Sequence, residues 1–170
     1  MYKIYIEFTR PKAHPFPFYS YLIRAVEGVN FSHVRIRWQN TVGQELVFEA
    51  SGRKVKLIGE KAQYKFPVEV VHSYGFDLTK EQYRKLISLF RYSSVDYGLW
   101  QAVGIAVAKL FGMKKNPFAR GRRSQVCSEL VGLVLIEVLG MECLEDILDL
   151  DMVGPADLQL FLSKTAVKFH

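Results

Sequence analysis

Cys127 is the residue of this sequence best suited to act as a nucleophile. The spacing of apolar residues predicts a helix over about Ser124 to Leu139, which places Cys127 in its first turn. A thiol attacks an acyl carbon as the thiolate, and the unpaired N–H groups and dipole of a helix N-terminus favour that form. The basic segment from Lys109 to Arg123 contains no acidic residue and adds to this field. Taken alone, the same position also fits an inert cysteine, because free cysteine is among the most buried residue types.

His33 is the predicted general base, and Glu49 is the predicted partner that orients its ring. His33 opens an alternating, strand-like run that ends at Trp38, and Glu49 lies in a second such run after a turn-like segment. If this hairpin turns about Thr41, His33 faces Glu49 directly across the strands. A slip of one residue would send Glu49 to the opposite face, and Gln39 or another polar group would then have to serve.

The remaining histidines and the second cysteine are weaker candidates. His72 is the alternative base, although a structural or surface role is favoured for it. His14 lies among prolines and His170 is the last residue, so neither is expected to act. Cys143 stands between two acidic residues, which disfavour a thiolate, and it is expected to be unreactive.

Two further expectations concern the groups around the nucleophile. Glu129 points about 200° around the helix from Cys127, given about 3.6 residues per turn, which predicts a structural or surface role. The backbone N–H of Cys127 is the simplest oxyanion donor. Cysteine and histidine spacings fit no metal site, and no cofactor is predicted.

Three short segments resemble, in the same order, motifs of the circularly permuted papain-like families: SHVRI at 32–36, FEA at 48–50 and VCSELV at 126–131. These families are the YaeF/YiiX-type relatives of the NlpC cell-wall peptidases, with lecithin retinol acyltransferase as a more distant cousin. In that group the histidine strand precedes the cysteine helix, as it does here. The resemblance implies that Cys127 is the nucleophile, His33 the general base and Glu49 the orienting residue. Arg35 departs from the small residue that the family tends to have two places after the histidine.

The predicted elements form one α+β domain over residues 1–170, and the resemblance implies a papain-like, permuted NlpC-type antiparallel sheet packed against helices. Alternation predicts strands at Lys3–Phe8, Ser32–Trp38, 46–50, Lys54–Ile58 and Tyr64–Val71, the last at a sheet edge or bulge because of Pro67. Helical spacing and end signals predict helices over Phe18–Val26, from Thr79 with a Thr79/Gln82 capping box, over Tyr97–Phe111, over Ser124–Leu139 and from Pro155.

Composition limits the class of protein and of partner. The 170 residues are 49% hydrophobic and 24% charged, as in ordinary globular proteins, and the net charge of +6 suits an anionic partner. Nucleic acid is not expected, because the basic segment offers only Phe111 and Phe118 as aromatics. That segment is predicted to be either a solvated loop or a lip of the binding cleft.

Targeting signals are not recognised. The N-terminal residues alternate and lack the apolar stretch of a signal peptide, which predicts a cytoplasmic protein. Leu99 to Met113 is apolar but shorter than the roughly 20 residues of a spanning helix. It is predicted to be a buried or partly interfacial helix, which allows peripheral contact with a membrane.

Three functions are compatible with these residues. The first is a thiol hydrolase that cleaves an amide or isopeptide bond through an acyl-enzyme, with peptidoglycan stem peptides as a substrate that the family suggests. The second is a lipid-directed thioesterase, lipase or acyltransferase that uses the same three residues. The third is a non-catalytic binding or virion-associated member of the fold.

Overall fold

A computed structural model describes residues 2–12, 18–51, 54–59, 67–89, 96–118, 124–144 and 149–166. The strands in this part of the chain are β1 (Tyr2–Pro11), β2 (His33–Gln39), β3 (Glu45–Ser51), β4 (Lys54–Gly59), β5 (Val68–Leu78), β6 (Asp96–Tyr97) and β7 (Ser124–Gln125). The helices are α1 (Phe18–Glu27), α2 (Lys80–Ser88), α3 (Leu99–Leu110), α4 (Cys127–Glu137) and α5 (Pro155–Ala166).

The strands form one sheet in the order β5-β1-β2-β3-β4-β6-β7. Neighbouring strands are antiparallel except β6 and β7, which are parallel, and the predicted α+β class is confirmed. Strand β5 lies at the sheet edge, as Pro67 predicts, but it continues to Leu78 instead of ending at Val71. The register between β1 and β5 shifts between Phe8 and Thr9.

The core lies between the sheet and α4. Alternate residues of the central strands are fully buried: Ile4, Ile6, Phe8, Val34, Ile36 and Phe48. They share one apolar cluster with Leu130, Val131 and Val134 of α4. Because α4 is buried on nearly all sides, its first residue is fixed in the interior of the protein.

Helix ends follow local signals with two corrections. The predicted start of α3 at Tyr97 is wrong, because Tyr97 pairs with Gln125 in the sheet and the helix begins at Leu99. The capping box of α2 is present, with Thr79 Oγ1 accepting from Gln82 N. Gly140 follows α4 with a φ of 71°, as expected of a residue that stops a helix in the left-handed region. The predicted start of α4 at Ser124 is wrong, because Ser124 pairs with Asp96 at the end of the sheet and the helix begins at Cys127.

Candidate active site

Cys127 is the first residue of α4, and its side chain is buried. The residue before it, Val126, has an extended backbone and provides no side-chain cap. The first N–H groups of a helix have no intrahelical partner, so here they are left to bind another acceptor. This end of α4 is held in place by the next residue, since Ser128 Oγ donates to Val153 O at 2.7 Å.

His33 lies at the start of β2 and contacts Glu49 of β3. His33 Nε2 is 3.1 Å from Glu49 Oε2, and the Glu49 side chain is only 2% exposed. Lys56 of β4 pairs directly with Glu49 in the sheet, and its Nζ lies 3.3 Å from Glu49 Oε1. The carboxylate is therefore held between a lysine and the imidazole, which fixes the ring.

The predicted register of the β2–β3 hairpin is wrong by two residues, yet the predicted contact forms. The hairpin turns about Val42, and the ladder pairs Gln39 with Glu45 and Ile36 with Phe48. Asn40 accounts for the longer turn, because its Oδ1 accepts from both Val42 N and Gln44 N. A shift of two residues preserves the face of the sheet, so Glu49 reaches the imidazole diagonally instead of directly.

The environment of His33 stabilises its protonated form. Burial lowers its pKa, but the charge of Cys127, the hydrogen bonds to Cys127 and Glu49, and the charge of Glu49 together raise it to about 10. Since Nε2 faces Glu49, Nδ1 is the ring nitrogen left for the sulfur. The structure thus brings His33 into contact with Glu49 and into electrostatic interaction with Cys127.

The alternative candidates lie elsewhere or have other partners. His72 is exposed on β5, where it makes an edge contact with Phe31. Gln39 is exposed at the end of β2 and donates to Gly43 O within the hairpin turn. Cys143 is exposed beyond α4. His14 and His170 lie outside the described residues.

Glu129 was predicted to have either a structural or a surface role, and the structure shows it buried in a structural role. Its carboxylate is buried and accepts a hydrogen bond from Gln101 Nε2 of α3 at 3.1 Å. The fully buried Gln101 also accepts, through its backbone O, a hydrogen bond from Asn116 Nδ2. This pair attaches α3 to the first turn of α4.

The predicted basic segment divides into different environments. Lys109 is not solvated, because it bridges Glu27 Oε1 at 2.7 Å and Asp157 Oδ2 at 2.5 Å. Lys114 and Lys115 are exposed. Three further residues of the predicted cleft lip lie outside the described residues: Arg120, Arg122 and Arg123.

A mainly apolar pocket borders Cys127. Its empty volume is about 360 Å³, part of which is open to solvent. Its lining comes from α1, α3 and the starts of α4 and α5: Ile23, Val26, Glu27, Ala102, Ile105, Ala106, Val126, Cys127, Ser128, Gly154 and Pro155. Ala102 and Ala106 of α3 contribute only methyl groups to this lining.

Sequence reasoning missed two contributors to the site: Lys56 and an ion-paired group of three residues. Lys56 could have been found from the alternation of β4, which places it on the same face as its β3 neighbour Glu49. The ion-paired group of Glu27, Lys109 and Asp157 gave no local signal, because its members come from three distant helices.

Neither a bound ion nor a spanning helix is indicated by the described residues. Within them, no group of three or more histidines, cysteines, aspartates or glutamates is arranged to hold a metal. No helix there is long and apolar enough to cross a membrane. No protein-family model and no curated protein matches this sequence. The family resemblance therefore rests on the motifs around His33, Glu49 and Cys127.

Proposed function

We propose that this protein is a thiol hydrolase that cleaves an amide or isopeptide bond through an acyl-enzyme on Cys127, as permuted papain-like enzymes do. The observation that carries the proposal is the position of His33, between the carboxylate of Glu49 and the thiol at the start of α4. Nucleophile, base and orienting group in this arrangement are the elements of a cysteine-based triad.

The chemistry follows from the protonation of this group. The Cys127 sulfur attacks the acyl carbon, and the N–H groups at the uncapped start of α4 stabilise the oxyanion. His33 gives its proton to the leaving nitrogen, which departs as the amine. His33 then accepts a proton from water, and the hydroxide attacks the thioester carbon. Collapse of this intermediate releases the carboxylic acid and the Cys127 thiolate, while His33 keeps the proton, so the starting pair is restored.

Alkylation by iodoacetamide tests the thiolate–imidazolium pair, and Cys143 serves as an exposed reference thiol in the same chain. We expect iodoacetamide to alkylate Cys127 faster than Cys143 at neutral pH, because His33 interacts with the Cys127 sulfur. In His33→Ala the rate at neutral pH should fall at least tenfold. If Cys127 reacts no faster than Cys143 and His33→Ala changes nothing, the non-catalytic alternative is favoured.

The pocket beside Cys127 favours a second candidate, the lipid-directed thioesterase or acyltransferase. Its walls are mostly aliphatic, which suits an acyl chain better than a charged peptide. A panel of isopeptides and fatty-acyl esters separates the two candidates. Cys127→Ala should abolish whichever activity is present, and activity that survives in this variant would remove Cys127 from the mechanism.

A pocket-filling substitution sharpens the comparison. Ala102→Trp should reduce turnover of long-chain esters by about tenfold or more while acetyl esters are still cleaved, because it fills space that only the longer chain needs. Val103→Trp, one residue away and outside the pocket lining, is the matched control. Equal loss of both ester lengths in Ala102→Trp would argue against an acyl chain in this pocket.

A further inference from the structure

The end of α3 and the loop after it carry an unusual share of exposed apolar surface. In the part of the chain that the structure describes, ten large hydrophobic side chains are exposed. Half of them lie within one stretch of 19 residues: Trp100, Leu110, Phe111, Met113 and Phe118. Phe111 is 72% exposed and Leu110 is 66% exposed, so neither contributes much to the core.

These side chains stand on an ordered tip. Gly112 has a φ of 63°, Met113 N donates to Ala108 O at 2.8 Å and Gly112 N donates to Lys109 O. This pattern is a Schellman motif, which ends α3 and turns the chain sharply. The exposed apolar residues therefore project from a defined turn at the end of a helix.

Asn116 fixes the loop that follows α3 to neighbouring parts of the protein. Asn116 is buried, and its Nδ2 donates to Gln101 O and Asp151 O, both at 3.0 Å. Beyond it, the ring of Phe118 lies edge-on to the exposed Trp100, with the ring centroids 6.1 Å apart. The tip is thus held at both ends while its apolar side chains face solvent.

The charged residues along this stretch of the sequence are all basic. Lys114 and Lys115 follow the apolar residues directly and are exposed. The sequence contains no aspartate or glutamate between Asp96 and Glu129, and the whole chain has a net charge of +6. Apolar side chains bordered by lysines are complementary to the acyl–headgroup boundary of an anionic bilayer.

We propose that the segment from Leu110 to Lys115, named here the α3 tip, docks the protein on anionic lipid membranes. Leu110, Phe111 and Met113 enter the interface, while the two lysines contact lipid phosphates. This surface does not depend on the function proposed for Cys127. If both proposals hold, α3 connects them, because its Ala102, Ile105 and Ala106 also line the pocket beside the thiol.

Co-sedimentation with lipid vesicles tests the docking. We expect binding to vesicles of phosphatidylcholine containing about one quarter phosphatidylglycerol, and much weaker binding to phosphatidylcholine alone. The double substitution Leu110→Ser/Phe111→Ser and the charge reversal Lys114→Glu/Lys115→Glu should each weaken binding by about tenfold or more.

Matched controls come from elsewhere on the surface. Val42→Ser removes a side chain that is 75% exposed in the β2–β3 turn, and Lys80→Glu/Lys85→Glu reverses two exposed lysines of α2. Both should bind vesicles like the parent protein. An unchanged unfolding midpoint in each variant establishes that it is folded.

Tryptophan fluorescence locates the contact. The chain has two tryptophans, of which Trp38 is 1% exposed and Trp100 is 60% exposed. Brominated lipids should quench Trp100 in bound protein, and Trp100→Phe should remove that quenching.

Three results would overturn the proposal. The first is failure to bind anionic vesicles even at low salt. The second is equal loss of binding in the control variants. The third is a concentration-dependent dimer that Leu110→Ser/Phe111→Ser dissociates, without vesicle binding, which would assign the α3 tip to a second copy of the chain.

Discussion

The protonation of His33 is decided by its immediate neighbours. A partly buried imidazole with no charged partner would lose its proton easily, because burial disfavours the cation. Here Glu49 on one side and Cys127 on the other reverse that effect and raise the pKa of His33 to about 10. The imidazolium is therefore the dominant form across the neutral range, as a general acid for an amine leaving group requires.

Removing the charge of Glu49 should lower the pKa of His33. In Glu49→Gln the carboxylate no longer stabilises the imidazolium, so the ring loses its proton at lower pH than the parent value of about 10. NMR titration of the His33 ring measures this shift directly. If an activity is found, its alkaline limb should move to lower pH in the same variant, because the general acid is lost earlier.

A carboxylate on the same strand provides the control for this titration. Glu45→Gln removes an exposed acid of β3 that pairs with Arg37, and it should leave the titration of His33 unchanged. A parent protein whose His33 titrates near the ordinary value of about 6.5 would contradict the charge arrangement described here.

At the scale of the elements, local sequence patterns predicted the strands and helices better than they predicted how the strands pair. Alternation located β2 and β3, and the Thr79/Gln82 capping box located α2, because both signals lie within a few residues. The hairpin register was missed because it depends on Asn40, whose side chain accepts two backbone hydrogen bonds and lengthens the turn. The contact between His33 and Glu49 forms in spite of this error, since a shift of two residues keeps Glu49 on the face of His33.

Other elements gave too little signal to be predicted. The two-residue strands β6 and β7 are shorter than any periodicity can reveal, and their pairing joins segments far apart in sequence. Their effect is local but important, because β7 takes Ser124 and Gln125 away from the predicted helix. Cys127 thereby becomes the first residue of α4.

Gly104 in the middle of α3 is expected to resist a substitution that usually stabilises helices. Glycine-to-alanine changes inside helices commonly gain about 0.5–1 kcal/mol. At Gly104, however, a new methyl group would overlap Asn116 Oδ1, and three hydrogen bonds prevent that side chain from moving away. We expect Gly104→Ala to lower the free energy of unfolding by about 1–3 kcal/mol, measured by urea denaturation.

Gly132 of α4 offers a matched control inside another helix. A methyl group there would meet Leu150 Cδ2, the end of a side chain that can rotate. Gly132→Ala should therefore change the free energy of unfolding by no more than about 1 kcal/mol. Equal stability of the two variants would show that Asn116 is not held as tightly as its hydrogen bonds indicate.

At the scale of the whole molecule, one partly buried ionic group joins helices from three parts of the chain. Lys109 of α3 bridges Glu27 of α1 and Asp157 of α5, across sequence separations of 82 and 48 residues. Glu27 also accepts a hydrogen bond from Ala156 N at the start of α5. Because these helices surround the pocket beside Cys127, this group determines both the assembly of the fold and the shape of the site.

Lys109→Met should therefore destabilise the whole protein. The substitution keeps the length of the side chain but leaves Glu27, whose side chain is 4% exposed, without its lysine. Breaking a buried ion pair from one side costs about 3–5 kcal/mol, because the remaining charge stays buried. Urea denaturation should show a lower midpoint with an unchanged slope.

The ion pair between Arg10 and Glu69 provides a control for Lys109→Met, because it also loses a positive charge when its basic residue is replaced. Its side chains are 34% and 42% exposed, so Arg10→Met should leave the midpoint of urea denaturation nearly unchanged. The raised pKa of Lys109, to which Glu27 and Asp157 contribute against the effect of burial, keeps it charged through the neutral range. The titration of Lys109 should therefore not change the stability of the protein below its ordinary pKa of about 10.5. The stabilisation by Lys109 should be lost only at higher pH, where the lysine deprotonates. If Lys109→Met were as stable as Arg10→Met, the three helices would be held together by apolar packing alone.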